Sequence, residues 1–173
     1  KGEFISAAAG EEVLRMAEEG TPEFKDVNNL GTYTTITDYI DRHIEHILKL
    51  KLVDVEAIKA RNFKVVIDCV NSTGGIALPK LLKALGVAEI VELNCEPTGH
   101  FAHNPEPLPE HLTELSSLVK SQKAHLGICV DTDVDRLALV GEDGAMFGEE
   151  YTLVAVADYV LKHHKKGNTV SNL

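Results

Sequence analysis

The sequence predicts an α/β fold, a three-layer arrangement of a mixed, mainly parallel sheet with flanking helices, and three observations carry that prediction. Short apolar runs at residues 64–70, 89–93 and 126–130 are separated by segments with helical spacing. Strand alternating with helix calls for right-handed crossovers and parallel pairing. The third run, Leu126-Gly127-Ile128-Cys129-Val130, is wholly apolar, the pattern of a strand covered on both faces. Size agrees, since 173 residues is a little more than one domain of roughly 150 residues.

Taken in order, residues 7–19 are rich in Ala and Glu, with Val13, Leu14 and Ala17 spaced for one helical face, and Gly20-Thr21-Pro22 ends the helix. A polar link at 25–29 leads to an expected strand at 33–36. Asp38 is placed to cap a helix in which Ile40, Ile44, Ile47 and Leu48 recur at intervals of three and four. A short helix is expected at 55–60, then the first apolar strand, broken by Asn71-Ser72-Thr73-Gly74-Gly75. The next helix carries Leu78, Leu81, Leu82 and Leu85. Gly86 lies just past its end, and Pro79 is expected in its first turn, where a missing N–H costs nothing. A helix is expected at 110–119, between the second and third strands. Residues 137–140 and 145–147, around the turn Gly141-Glu142-Asp143-Gly144, read as a β-hairpin. A helix at 149–163 and a strand at 169–173 belong to a following unit.

Composition narrows the function. The net charge is −10, which repels nucleic-acid phosphate and anionic membrane, so neither is expected as a partner. No stretch approaches 18 uncharged apolar residues, so no membrane span is expected. Cys69, Cys95 and Cys129 are odd in number and lack Cys-x-x-Cys spacing, which suits reduced thiols in a cytoplasmic protein. The first residues, Lys1-Gly2-Glu3, and the last, Ser171-Asn172-Leu173, read as the ends of an excised piece.

The chemistry concentrates in Asp131-Thr132-Asp133-Val134-Asp135-Arg136, directly after the third strand. Three aspartates so close repel one another unless a cation is shared, and oxygen-only ligands select a hard cation such as magnesium or calcium. The position suits a site, because open α/β sheets bind ligands beyond the carboxyl ends of their strands. A helix–loop–helix calcium site is excluded because Arg136 stands where its sharp turn needs glycine. An apolar strand followed by Asp-x-Asp also resembles the nucleophile loop of haloacid-dehalogenase-like phosphatases, with Asp131 as nucleophile and Asp133 as acid/base. A non-catalytic divalent-cation module is a further alternative. Asn71 to Gly75 serves as a helix entry or an anion cradle, and it lacks the glycine spacing and the Gly-Lys-Ser/Thr ending of phosphate loops. His43, His46, His163 and His164 belong to solvated helix faces, and Cys69 and Cys129 to packing.

Val130 to Val140 resembles the metal-binding loop of the α-D-phosphohexomutases, the family of phosphoglucomutase, phosphomannomutase and phosphoglucosamine mutase. The family's usual form is Asp-Gly-Asp-Ala-Asp-Arg, so Thr132 and Val134 depart from it while the three aspartates and the arginine stand. Residues 94–108 and 66–75 also resemble the family's second domain, and the resemblance covers roughly residues 32–173. It implies residues 1–37 as the tail of the first domain, 38–148 as the second domain and 149–173 as the start of the third. It implies Mg2+ held by Asp131, Asp133 and Asp135, with Arg136 contacting phosphate. The phosphoserine of the reaction lies outside this chain, because His103-Asn104-Pro105 is preceded by Ala102 and not by serine. Hexose phosphate and the remaining domains of the same polypeptide are the implied partners, and the piece by itself is expected to be inert. Thr132, where the family has glycine, is expected to strain the loop if that position takes a positive φ.

Overall fold

The computed structural model describes residues 3–20, 24–163 and 167–170. The chain divides into two units, with the boundary between Ile36 and Thr37. In the first unit, helix α1 (Ala7–Glu19) begins where the Ser6 hydroxyl accepts the Ala9 N–H at 3.2 Å. Arg15 pairs with Glu12 and Glu19 one turn either side of it. The strand expected at 33–36 does not form, because those four residues have no partner strand among the described residues and stay exposed.

The second unit opens with α2 (Tyr39–Leu48), which turns Ile44 inward and packs against α4 (Gly74–Ala84). Asp38 stands at the start of α2 without capping a backbone N–H. Its carboxylate takes the Arg42 guanidinium instead, at 2.9 Å. Asp54 does cap α3 (Val55–Ala60), accepting from the Ala57 N–H at 2.9 Å.

Four strands form one sheet in the order β2 (Glu89–Leu93), β1 (Lys64–Asp68), β3 (Leu126–Val130), β4 (Leu137–Gly141). β1 pairs in parallel with both β2 and β3, and β4 runs antiparallel to β3. Alternation along β1 decides which helix covers which face. Val65, Ile67 and Cys69 meet Leu78 and Leu82 of α4, while Val66 meets Leu115 and Val119 of α5 (Thr113–Gln122). The two crossovers run in opposite directions across the sheet and lie on opposite faces, as two connections of the same hand must. The three-layer, mainly parallel sheet with flanking helices therefore forms as expected.

Four further expectations need correction. Pro79 sits six residues into α4 and is buried there, so it removes a hydrogen bond inside the helix. The helix expected at 110–119 is a short 3-10 turn (Pro109–His111) followed by α5, because Leu112 leaves helical geometry to fill the core. The proposed hairpin at 137–147 has only one true strand, β4, and its second arm contributes a single bridge between Val140 and Met146. Residues 169–170 carry no strand, and the rest of that expected element lies outside the described residues. Gly86 behaves as read: at φ +83° it ends α4, with the Val87 N–H returning to the Leu82 carbonyl at 3.0 Å. α6 (Glu149–His163) packs on β4, and no helix among the described residues is long and apolar enough to cross a membrane.

Candidate metal centre

β3 ends at Val130 and β4 begins at Leu137, so Asp131 to Arg136 form the connection of an antiparallel hairpin. The loop is built around Asp131. The residue is only 9% exposed, and its Oδ1 accepts the N–H groups of Asp135 at 3.1 Å and Arg136 at 3.2 Å. That folds the chain back on itself and brings three carboxylates together. One oxygen each of Asp131, Asp133 and Asp135 lies within 4.8 Å of the others, with Asp133 and Asp135 open to solvent. Contact with the Asp131 carboxylate, and then the charges of Asp133 and Asp131, hold the Asp135 carboxyl above the usual range. A hard dication would relieve that repulsion, and an all-carboxylate set suits one.

The strain in the loop falls at Val134 and not at Thr132. Val134 has φ 65°, a region costly for a β-branched residue, whereas Thr132 has no positive φ. The Val134 side chain lines an apolar cleft with Ile44, Ile47, Leu78 and Leu81, which offsets part of that cost. Arg136 points its guanidinium at Glu106, and both partners are about half exposed.

A second loop stands beside the first, at the carboxyl end of β1. Asp68 is 1% exposed and accepts from the Val70 N–H at 3.1 Å and the Asn94 side-chain amide at 3.3 Å. The His103 Nε2 lies 3.0 Å from its other oxygen. Val70, fully buried, follows at φ 44°, so two β-branched residues with positive φ flank the site at the ends of adjacent parallel strands. Farther along, the Ser72 and Thr73 hydroxyls donate to the Thr132 carbonyl at 2.8 and 2.7 Å. The Asn71 carbonyl and amide bind Gly99 N–H and the His100 carbonyl, which ties the 97–108 segment to the same strand end.

The four residues singled out from the sequence thus share one loop: Asp131, Asp133 and Asp135 converge, and Arg136 turns toward Glu106. Asn71 to Gly75 is a helix entry, and its hydroxyls are spent on the aspartate loop. Sequence reasoning gave no role to Asp68 or Glu106, set His103 aside as part of a phosphoryl-carrier motif, and weighed Ser72 and Thr73 only as part of a helix entry or anion cradle. A lone carboxylate ending an apolar strand was the available signal for Asp68. The other four stood in the segments 71–75 and 94–108 already singled out, but nothing local showed what their side chains would contact. His43, His46 and His163 are exposed, and His164 lies outside the described residues.

Residues 41–144 match the family described as phosphoglucomutase/phosphomannomutase, alpha/beta/alpha domain II. The chain is 40% identical over 137 residues to a phosphoglucomutase/phosphomannomutase of Thermococcus kodakarensis, covering 79% of this chain and 29% of that protein. It is 30% identical over 164 residues to a probable phosphoglucosamine mutase of Methanopyrus kandleri, covering 94% of this chain and 35% of that protein. A crystal structure of a phosphoglucomutase/phosphomannomutase family protein from Burkholderia thailandensis superposes with TM-score 0.72 at 29% identity, over 92% of this chain and 32% of that one. The chain spans about a third of the length of the relatives it matches.

Proposed function

Because the chain belongs to the phosphoglucomutase/phosphomannomutase family, the α-D-phosphohexomutases, we propose that it contributes the metal-binding loop of an enzyme that interconverts hexose 1- and 6-phosphates. The observation that carries this reading is the convergence of Asp131, Asp133 and Asp135 at the carboxyl ends of β1 and β3, inside the matched segment. Residues 38–148 act as the second domain, with 1–37 and 149–173 as parts of its neighbours. The matched range, 41–144, supports those limits.

Mg2+ is the proposed ion, because the donors are oxygen only and phosphate accompanies it in such chemistry. When bound, it would neutralise charge on the transferring phosphoryl group. Asp131, Asp133 and Asp135 hold that ion. Arg136 offers a planar pair of donors to a phosphate once it leaves Glu106, and its exposure leaves that exchange open to solvent. A phosphoserine outside these residues gives and regains the phosphoryl group, by way of a hexose bisphosphate. Glucose, mannose and glucosamine phosphates are the candidate substrates. A cytoplasmic setting is supported by the three free cysteines.

The buried Asp131 weakens the rival phosphatase assignment, because one of its oxygens is already committed to two backbone N–H groups. The 173-residue chain with Mg2+ is expected to isomerise none of the three sugar phosphates. Residues 38–148 grafted in place of the matching segment of the Thermococcus kodakarensis relative are expected to keep its Mg2+-dependent mutase activity. Asp133→Asn in that graft should lower the activity by about 100-fold. Release of inorganic phosphate without isomerisation would overturn the proposal and favour an aspartyl-nucleophile phosphatase.

A further inference from the structure

Two side-chain hydroxyls ending on one backbone carbonyl is an uncommon use of donors. Ser72 Oγ and Thr73 Oγ1 come from the segment after β1, and both reach across about 60 positions of sequence to the Thr132 oxygen, at 2.8 and 2.7 Å. Thr73 stands at the start of α4, where a hydroxyl would ordinarily cap the helix, and it makes no such bond. The approach depends on Gly74. A Cβ there would lie 2.6 Å from the Val130 Cγ2, so only glycine lets the start of α4 come this near the end of β3.

The consequence falls on Asp133. The Thr132 oxygen belongs to the planar peptide unit that joins Thr132 to Asp133, so fixing that oxygen fixes the direction in which the chain enters Asp133. The carbonyl has two lone pairs, and two donors fill them, which keeps this oxygen from competing with the carboxylates for a cation. Asp131 is held from within the loop by its bonds to the Asp135 and Arg136 N–H groups. Asp133 is exposed and has no such bond among the described residues, so the two hydroxyls are what constrain its side of the cluster.

We propose that Ser72 and Thr73 are positioning residues for the cation site: their hydroxyls clamp the Thr132 carbonyl and hold Asp133 within reach of Asp131 and Asp135 against the repulsion of the three carboxylates. The proposal rests on the reading that these aspartates bind a divalent cation. Partners one step removed from a metal's ligands commonly change its affinity by about 10- to 100-fold when lost. Ser72 is half buried and Thr73 exposed, so the Ser72 bond competes less with water and carries more of the effect.

The test is a titration of the 173-residue chain with Mn2+, read by the loss of the free-ion paramagnetic resonance signal and repeated with Mg2+ as competitor. The Ser72→Ala/Thr73→Ala double variant is expected to bind about tenfold more weakly than the parent chain. Ser72→Thr/Thr73→Ser, which keeps both hydroxyls, should bind within about twofold of it. A loss of fold alone would not be rescued by donor chemistry in this way. If the double variant fails to fold by circular dichroism, Ser72→Ala and Thr73→Val decide singly, with the larger loss expected at Ser72. Folded variants without the hydroxyls that bind Mn2+ as tightly as the parent would overturn the clamp. Asp133→Asn separates the two levels of the argument. A parent chain whose Mn2+ binding is absent, or is untouched by Asp133→Asn, overturns the cation reading itself.

Discussion

Replacing Gly75 with alanine probes how closely α4 approaches the end of β2. A Cβ on residue 75 would lie 1.9 Å from the Cys95 carbonyl oxygen and 2.7 Å from its carbon. A carbon–oxygen contact normally needs about 3.3 Å, so the helix and the strand end would have to part by roughly 1.4 Å. Both sides are backbone, and α4 is anchored by the buried residues Leu78, Pro79 and Leu82, so no flexible side chain can absorb the shift. Overpacking of this kind costs about 1–3 kcal/mol, and a backbone clash belongs at the upper end. Alanine returns about 1 kcal/mol of helix propensity, which leaves a net loss of about 2 kcal/mol. With a urea m-value near 2 kcal/mol/M, the unfolding midpoint followed at 222 nm should fall by about 1 M. Gly10→Ala is the matched control, because a Cβ there meets only the Ile5 Cδ1 at 3.8 Å and should leave α1 as helical as before or more so. A Gly75→Ala chain with an unchanged or higher midpoint would refute the close approach of α4 to the end of β2.

Cation binding should weaken on acidification sooner than ordinary aspartates would allow. The ligand is the charged carboxylate, and the Asp135 carboxyl is held above its usual range by Asp131 and Asp133, so it takes up a proton at a higher pH than an ordinary aspartate and that ligand is lost sooner. Mn2+ titrations at pH 7.5 and pH 5 check this, and equal affinity at the two would refute it. The thiols should differ in reactivity. Burial pushes the Cys129 thiol up to about 12, and contact with the Cys95 thiol, then burial, raises Cys69 as well, whereas Cys95 is partly exposed and lowered by the Cys69 thiol. At pH 8 an aromatic disulfide reagent should titrate one thiol, Cys95, in the folded chain and three in urea. Loss of the fast phase in Cys95→Ser confirms the assignment, and its persistence would contradict it.

Much of this protein is local in origin and was legible as such. The runs 89–93 and 126–130, the helix at 55–60 and the helix at 149–163 match the observed limits, because each is set by side-chain periodicity or by a capping residue within a few positions. The aspartate loop was legible too, since three carboxylates after an apolar strand are adjacent in sequence, and its resemblance to a family motif added the arginine. The strand expected at 33–36 failed because strand pairing needs a partner, and propensity does not supply one. The strain assigned to Thr132 belongs to Val134, because the backbone angle at each position depends on where Asp131 anchors the turn.

The α/β class, most element limits and the identity of the three carboxylates follow from the order of residues along the chain. Tertiary structure alone decided that the loop closes a β3–β4 hairpin, that Asp68 and His103 meet across 35 positions, that Glu106 holds Arg136, and that two hydroxyls some 60 positions away grip Thr132. Those contacts depend on the parallel pairing of β1 with β3, which sets two strand ends side by side. Sheet register fixes that neighbourhood, and no stretch of either loop encodes it alone.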